Sequence, residues 1–327
     1  MEKMGLRKKC VNFVTFTLMV FGLFLINNNP LKAAEKFVIG ISQFAEHPAL
    51  DAVRQGFEDE LKAQGVDAEI IYKNSQGDTG TAGIIAQKFV SDKVDLIFGI
   101  ATISAQTAKQ ATDTIPVLFS AVTDPVHSQL VDSMENVGGN VTGTTDAVPM
   151  DKQLALFKQL NPEIEKIGII YNTSESNSEI QIAKAKEIGN TLGLEIISVG
   201  VNSINDIPQA VDSIASKVDA FYAITDNIVA SAINLEARAA IDRKMVSVGA
   251  EEALVKGGLL MTDGLSYYEL GKQTGAMAKR ILVDKVNPKD MPVESLKNTT
   301  KIVNETTMKK LKLDKNNPAF EGAEFIK

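Results

Sequence analysis

The sequence is short of the residues on which much site chemistry depends. Its 327 residues include no tryptophan, one cysteine and two histidines. A disulfide takes two cysteines, and a Cys/His zinc site needs more ligands than these counts leave, so both are excluded. Oxygen-ligand sites for calcium or magnesium stay open on composition alone. Three catalytic motifs are also missing: the G-x-x-x-x-G-K-[ST] phosphate loop, the G-x-S-x-G nucleophile elbow and H-E-x-x-H. Basic charge is scarce, with 34 Lys and Arg against 41 Asp and Glu for a net charge of −7. That balance argues against a partner such as nucleic acid, whose backbone a protein binds by neutralising it. What remains is globular in composition, 44% hydrophobic and 23% charged, and long enough for two lobes.

The amino-terminal segment has its own pattern. Arg7, Lys8 and Lys9 precede an uncharged, largely apolar run of 16 residues, 11–26, followed by polar Asn27 to Asn29, Pro30 and the small residues Ala33 and Ala34. This is the order of a secretory signal peptide, and the run falls short of the roughly 20 residues of a spanning helix. Residues 1–34 are therefore expected to be a signal peptide cleaved after Ala33 or Ala34, with an uncleaved anchor as the alternative. Cys10 lies before the apolar run, where it cannot serve as a lipid-bearing cysteine behind a signal. Removal of 1–34 leaves 29 basic and 40 acidic side chains, a net charge of −11, and no cysteine. Such a product is expected to be periplasmic or secreted.

From residue 35 onward, short β-branched runs alternate with amphipathic helical stretches. Strands are expected at 37–41, 68–72, 94–100 and 116–120, and helices at 48–63, 80–91 and 104–112. The rhythm repeats with strands at 166–171, 195–199, 218–224 and 245–248, and helices at 178–192, 204–216 and 228–243. The halves also echo in detail. Lys93-Val94-Asp95 opens LIFGIAT and Lys217-Val218-Asp219 opens AFYAITD, while Gly65 and Gly193 each follow a long helix. A βαβα order calls for parallel sheets covered by helices, so the fold class is α/β with two Rossmann-like lobes. A strand at 258–262, a helix at 267–283, a strand at 300–303 and a helix at 308–311 complete the chain. These tail elements must join a lobe or cross between lobes, which makes a hinge. The first lobe is expected to span 35–146 with about 264–287, and the second about 147–263 with 288–327.

Open α/β sheets bind ligands beyond the carboxyl ends of their strands. The residues there are Ser42, Gln43, Phe44 and His47, then Ala101 and Thr102, then Thr123 and Asp124. In the second half they are Asn172 to Ser178, Thr225 to Asn227, and Gly249 to Glu251. Hydroxyls, amides and a few carboxylates suit a small polar ligand. Thr102, Ser178 and Asp226 equally suit plain helix caps, and Phe44 and Tyr267 equally suit packing. His47 and His127 lie in different segments. No catalytic residues, cofactor or metal are expected, although a secreted Ser-His-Asp hydrolase remains an alternative.

The stretches IATISAQTA, IPVLFSAVTDPVHSQLV, GGNVTGTTDAVP, IGIIYNTSESNSEIQ, YAITDNIVASAI and YYELGKQTGAMAKRIL resemble the substrate-binding proteins of ABC transporters of the tryptophan/tyrosine type. The resemblance runs over nearly all of the chain beyond residue 35. It implies a type I periplasmic-binding-protein fold with three crossings, a monomer that takes a small ligand, an aromatic amino acid above all, and hands it to an ABC permease in the membrane. Residue by residue it points to Ala101, Thr102, Asn177, Ser178, Asp226 and Asn227. On this reading the ligand carboxylate rests on the N–H groups near Thr102 with Asn177 and Ser178, and Asp226 pairs with the ammonium. Phe44, His47 and Tyr267 would enclose a flat side chain. A sugar, nucleoside or signal-molecule receptor on the same fold is the rival.

Overall fold

The computed structural model describes residues 36–327. The expected signal peptide lies outside them. The first half runs β1 (Phe37–Gln43), α1 (Pro48–Ala63), β2 (Ala68–Asn74), α2 (Thr79–Ser91), β3 (Leu96–Ile100), α3 (Thr102–Ala111), β4 (Val117–Val122) and β5 (Val141–Thr145). Next come α4 (Met150–Leu160), β6 (Lys166–Asn172), α5 (Ser176–Leu192), β7 (Glu195–Val201), α6 (Ile207–Ala215) and β8 (Ala220–Ala223). They lead into α7 (Asn227–Ser231), α8 (Ile233–Asp242), β9 (Val246–Glu251), α9 (Glu252–Lys256) and β10 (Met261–Leu265). The chain ends with α10 (Tyr267–Leu282), β11 (Glu294–Ser295), β12 (Thr300–Asn304), α11 (Glu305–Lys310) and β13 (Glu324–Ile326).

Two sheets result, ordered β11-β5-β4-β3-β1-β2 and β13-β12-β10-β9-β8-β6-β7. Leaving out the tail strands, both have the order 2-1-3-4-5 within their own half. Their ladders are parallel except where β12 runs antiparallel to β10. The central strands are buried on both faces because helices cover both, whereas edge strand β2 has no buried residue. The repeated aspartates have repeated jobs. Asp95 accepts the Val38 N–H at 2.7 Å, and Asp219 accepts those of Glu165 and Lys166 at 3.0 and 2.8 Å. Gly65 and Gly193 both end their helices in the left-handed region, at φ 69° and 66°.

Helix α1 packs on α10 through glycines. A Cβ at Gly56 would overlap the Tyr268 carbonyl oxygen, and one at Gly271 would overlap that of Val53. Phe57 of α1 stacks on Phe98 of β3, centroids 4.1 Å apart, which fixes α1 over the first sheet. The chain crosses between sheets three times: after β5, between β10 and α10, and between β11 and β12.

Several local expectations change. Strand β5, sequence VTGTT, carries no apolar alternation and was not expected. It is fully buried, and its hydroxyls are satisfied: Thr142 donates to the Met291 carbonyl at 2.9 Å, and Thr144 meets Ser120 and Thr274 at 2.9 and 2.8 Å. Strand β11 pairs with β5, so the segment from 288, placed in the second lobe from sequence, first contributes to the first sheet. The single helix expected at 228–243 breaks at Ala232, where Ser231 donates its hydroxyl to the Asn227 carbonyl at 2.8 Å and competes with the helical bond. The strand expected at 258–262 begins at Met261, because Gly258 turns at φ 115°.

Candidate functional site

The carboxyl ends of both sheets face one another across a narrow cavity. From the first sheet's side come His47 and Leu50 at the start of α1, Ala121 near the end of β4, Thr123 just after it, and Asp146 after β5. From the second come Asn177 in the first turn of α5, Ile224 to Asn227 after β8, Ala230, Glu251 at the end of β9 and Leu254 beyond it. Tyr267 enters from the second crossing. Every one of these positions follows from the parallel order, which puts all the loops after strands at one edge.

Polar bonds join the two walls directly. His47 Nε2 lies 3.2 Å from Asn227 Oδ1, and Thr123 Oγ1 lies 3.0 Å from Thr225 Oγ1. Asn227 gives its amide N–H to Glu175, so its Oδ1 is an acceptor and His47 donates through Nε2. Farther out, a Cβ at Gly77 would come within 2.8 Å of Ile228 Cδ1 on the opposite lobe. The cleft is closed.

Electrostatically the cavity is acidic. Among the described residues no lysine or arginine lines it, while Asp146, Asp226 and Glu251 do. Burial raises Glu251 to about 7 and lifts Asp146 above the ordinary carboxylate range. Burial also lowers His47 to about 4, so the imidazole is neutral near pH 7. Behind the wall, burial and then the Asp226 charge push Glu175 upward. Asp226 has several donors: Asn172 N at 2.6 Å and Ser178 Oγ at 2.7 Å on Oδ2, and Val229 N at 2.9 Å on Oδ1. Burial raises Asp226 as well, and these bonds act against that rise.

The sequence-predicted residues separate into two groups. His47, Asn177, Asp226, Asn227 and Tyr267 line the cavity. Phe44 does not; it is 1% exposed within the first hydrophobic core. Asn172 and Ser178 stand behind the wall as donors to Asp226. Ala101 and Thr102 are buried away from the lining, with Ala101 strained at φ 78°, ψ 160° at the start of α3. Asp124 accepts the His127 N–H at 2.9 Å and faces an adjoining pocket, whose wall Thr123, Asp146 and Thr225 share with the cavity. Of the three suggested caps only Asp226 is one.

Thr123, Thr225 and Glu251 stood in the strand-end inventory but had not been singled out. Asp146 lay in the quoted stretch GGNVTGTTDAVP but was not singled out, since β5 was not read as a strand. Gln153 of α4 was also missed: it donates to the carbonyls of Ala250 at 3.0 Å and Asp263 at 2.8 Å, which sets the strand end that carries Glu251.

Comparison with known proteins adds the following. The family model for ABC transporter substrate binding protein matches residues 38–323. A protein named tyrosine-binding protein, from Clostridioides difficile, is 42% identical over 281 residues, 85% of this chain and 81% of that one. A Streptococcus pneumonia protein solved in complex with L-Trp has a TM-score of 0.85 at 31% identity, over 89% of this chain and all of that one (100%). The ligand-free, open structure of a substrate binding protein from Clostridium difficile has a TM-score of 0.68 at 41% identity, over 89% and 99%. The less similar sequence has the more similar backbone.

Proposed function

The chain belongs to the ABC transporter substrate binding protein family, and from that premise we propose that it captures an aromatic amino acid in the cavity and delivers it to a membrane permease. The observation that carries this reading is the make-up of the cavity. Carboxylates and neutral hydrogen-bonding groups stand beside Leu50, Ala121, Ile224, Ala230, Leu254 and the Tyr267 ring. That mixture suits a ligand with an ammonium at one end and a flat apolar body at the other. A sugar would leave hydroxyls against those apolar side chains, at the cost of unmade hydrogen bonds. The names of the tyrosine-binding and L-Trp-bound relatives support the same ligand class.

Leu50, Leu254 and Tyr267 enclose the ring. Loading takes place outside the cytoplasmic membrane, and the protein acts as a monomer that binds without transforming its ligand. In keeping with this, His47 pairs with an asparagine and with no serine.

A thermal-shift panel of amino acids, sugars and nucleosides tests the proposal. L-Tyr, L-Trp or L-Phe is expected to raise Tm in proportion to the logarithm of its concentration above the dissociation constant. A rise with a sugar or nucleoside, and none with these amino acids, would refute it.

A further inference from the structure

Two cavity-lining side chains have a buried oxygen with no hydrogen-bond partner: Asp146, through Oδ1, and Asn177, through Oδ1. Both atoms are acceptors, and they come from opposite sides. Asp146 follows β5 of the first sheet, and Asn177 sits in the first turn of α5 beside the second. Their other polar atoms are engaged. Tyr267 donates its phenol to Asp146 Oδ2, and Asn177 Nδ2 donates to the Thr225 carbonyl at 3.0 Å. Both residues are at most 3% exposed. Asp226, the acid singled out from sequence, has instead both oxygens taken by protein donors.

Buried acceptors left unpaired are costly, and a pair of them across a closed cleft is matched by a ligand that brings several N–H donors and a positive charge. We infer that Asp146 and Asn177 together receive the ammonium of the bound amino acid, with Tyr267 as the positioning residue that aims Asp146. This inference rests on the amino-acid reading above and names the atoms that grip the ligand. The primary amine thus adds a tie between the lobes to those of His47 with Asn227 and Thr123 with Thr225. The site therefore selects α-amino acids over the corresponding carboxylic acids that lack nitrogen. Burial alone favours a protonated Asp146, and an arriving ammonium supplies the charge that keeps it ionised.

Calorimetry with L-Trp and indole-3-propionate, which differ by that amine, tests the assignment on the whole protein. Wild type is expected to bind L-Trp at least thirtyfold more tightly, roughly the worth of a hydrogen bond to a charged group. Asp146→Asn is expected to lose about thirtyfold on L-Trp and little on indole-3-propionate. Asn177→Ala should lose about tenfold with the same selectivity, which keeps the test open if Asp146→Asn folds poorly. Tyr267→Phe should weaken L-Trp more than the acid. Equal losses on both ligands would make Asp146 a structural residue, and loss of discrimination in Asp226→Asn but not in Asp146→Asn would transfer the role to Asp226. Either result overturns the inference while leaving aromatic amino-acid binding in place. If wild type binds no aromatic amino acid, both readings fall together.

Discussion

At the scale of single residues, His47 carries a consequence for pH. In the closed cleft it is buried against Asn227, with Glu175 behind that amide, Asp51 one turn along α1, and Asp146, Asp226, Glu251 and Tyr267 lining the same cavity. Burial holds its value at about 4. Opening removes Asn227 and returns the imidazole toward its ordinary value of about 6.5. Protons therefore favour the open form, and closure through this group is fully available above about 6.5 and lost as pH falls toward 4. Between pH 7.5 and 5 the imidazole alone should weaken ligand binding about thirtyfold. The acids with raised values act in the opposite sense, so the useful quantity is the difference between wild type and His47→Gln in calorimetry across that range. Identical pH profiles would remove His47 from closure. The strand-end rule found this histidine and also Asp226, but it could not rank them. Whether a carboxylate points into a cavity or is consumed as a helix cap depends on donors such as Asn172 N and Ser178 Oγ, which only the fold brings near.

At the scale of elements, the contact between α1 and α10 is the tightest helix pair in the first lobe. It needs Gly56 and Gly271 because backbone meets backbone there. Gly271→Ala has no room and should cost roughly 1–3 kcal/mol or more through overpacking, read as a fall in Tm of several degrees. An unchanged Tm would show that the helices shift freely. Much of the element plan was legible in the sequence. Helix 48–63 is observed as expected, because Pro48 opens it, an apolar stripe buries it and Gly65 closes it. Strand β5 was illegible for a physical reason. Its threonines are buried by hydrogen bonds to other elements rather than by apolar surface, and Gly143 lies against the Phe119 backbone, so neither feature leaves a periodic trace. The break at Ala232 was equally hidden, since alanine is the best helix former and the cause is the neighbouring serine.

At the scale of the whole molecule, the duplicated order of the two sheets makes the lobes near-equivalent bodies joined by three crossings. Thr123 and Thr225 oppose each other across the cleft with their oxygens 3.0 Å apart, within reach of a cysteine bridge. The described residues contain no cysteine, so Thr123→Cys with Thr225→Cys makes a unique pair. Oxidised in the presence of ligand, it should trap the closed form and slow ligand release by orders of magnitude, with reduction restoring it. Release at the wild-type rate from the bridged protein would mean that ligand leaves without lobe separation. The positions of Asp146 and Tyr267 have a mechanical corollary. Both sit on crossings, next to the axle on which the lobes swing, whereas Gly77 and Ile228 meet at the rim. A displacement near an axle is multiplied at the rim as along a lever, so a cargo slightly too wide at the axle leaves the outer jaws visibly ajar.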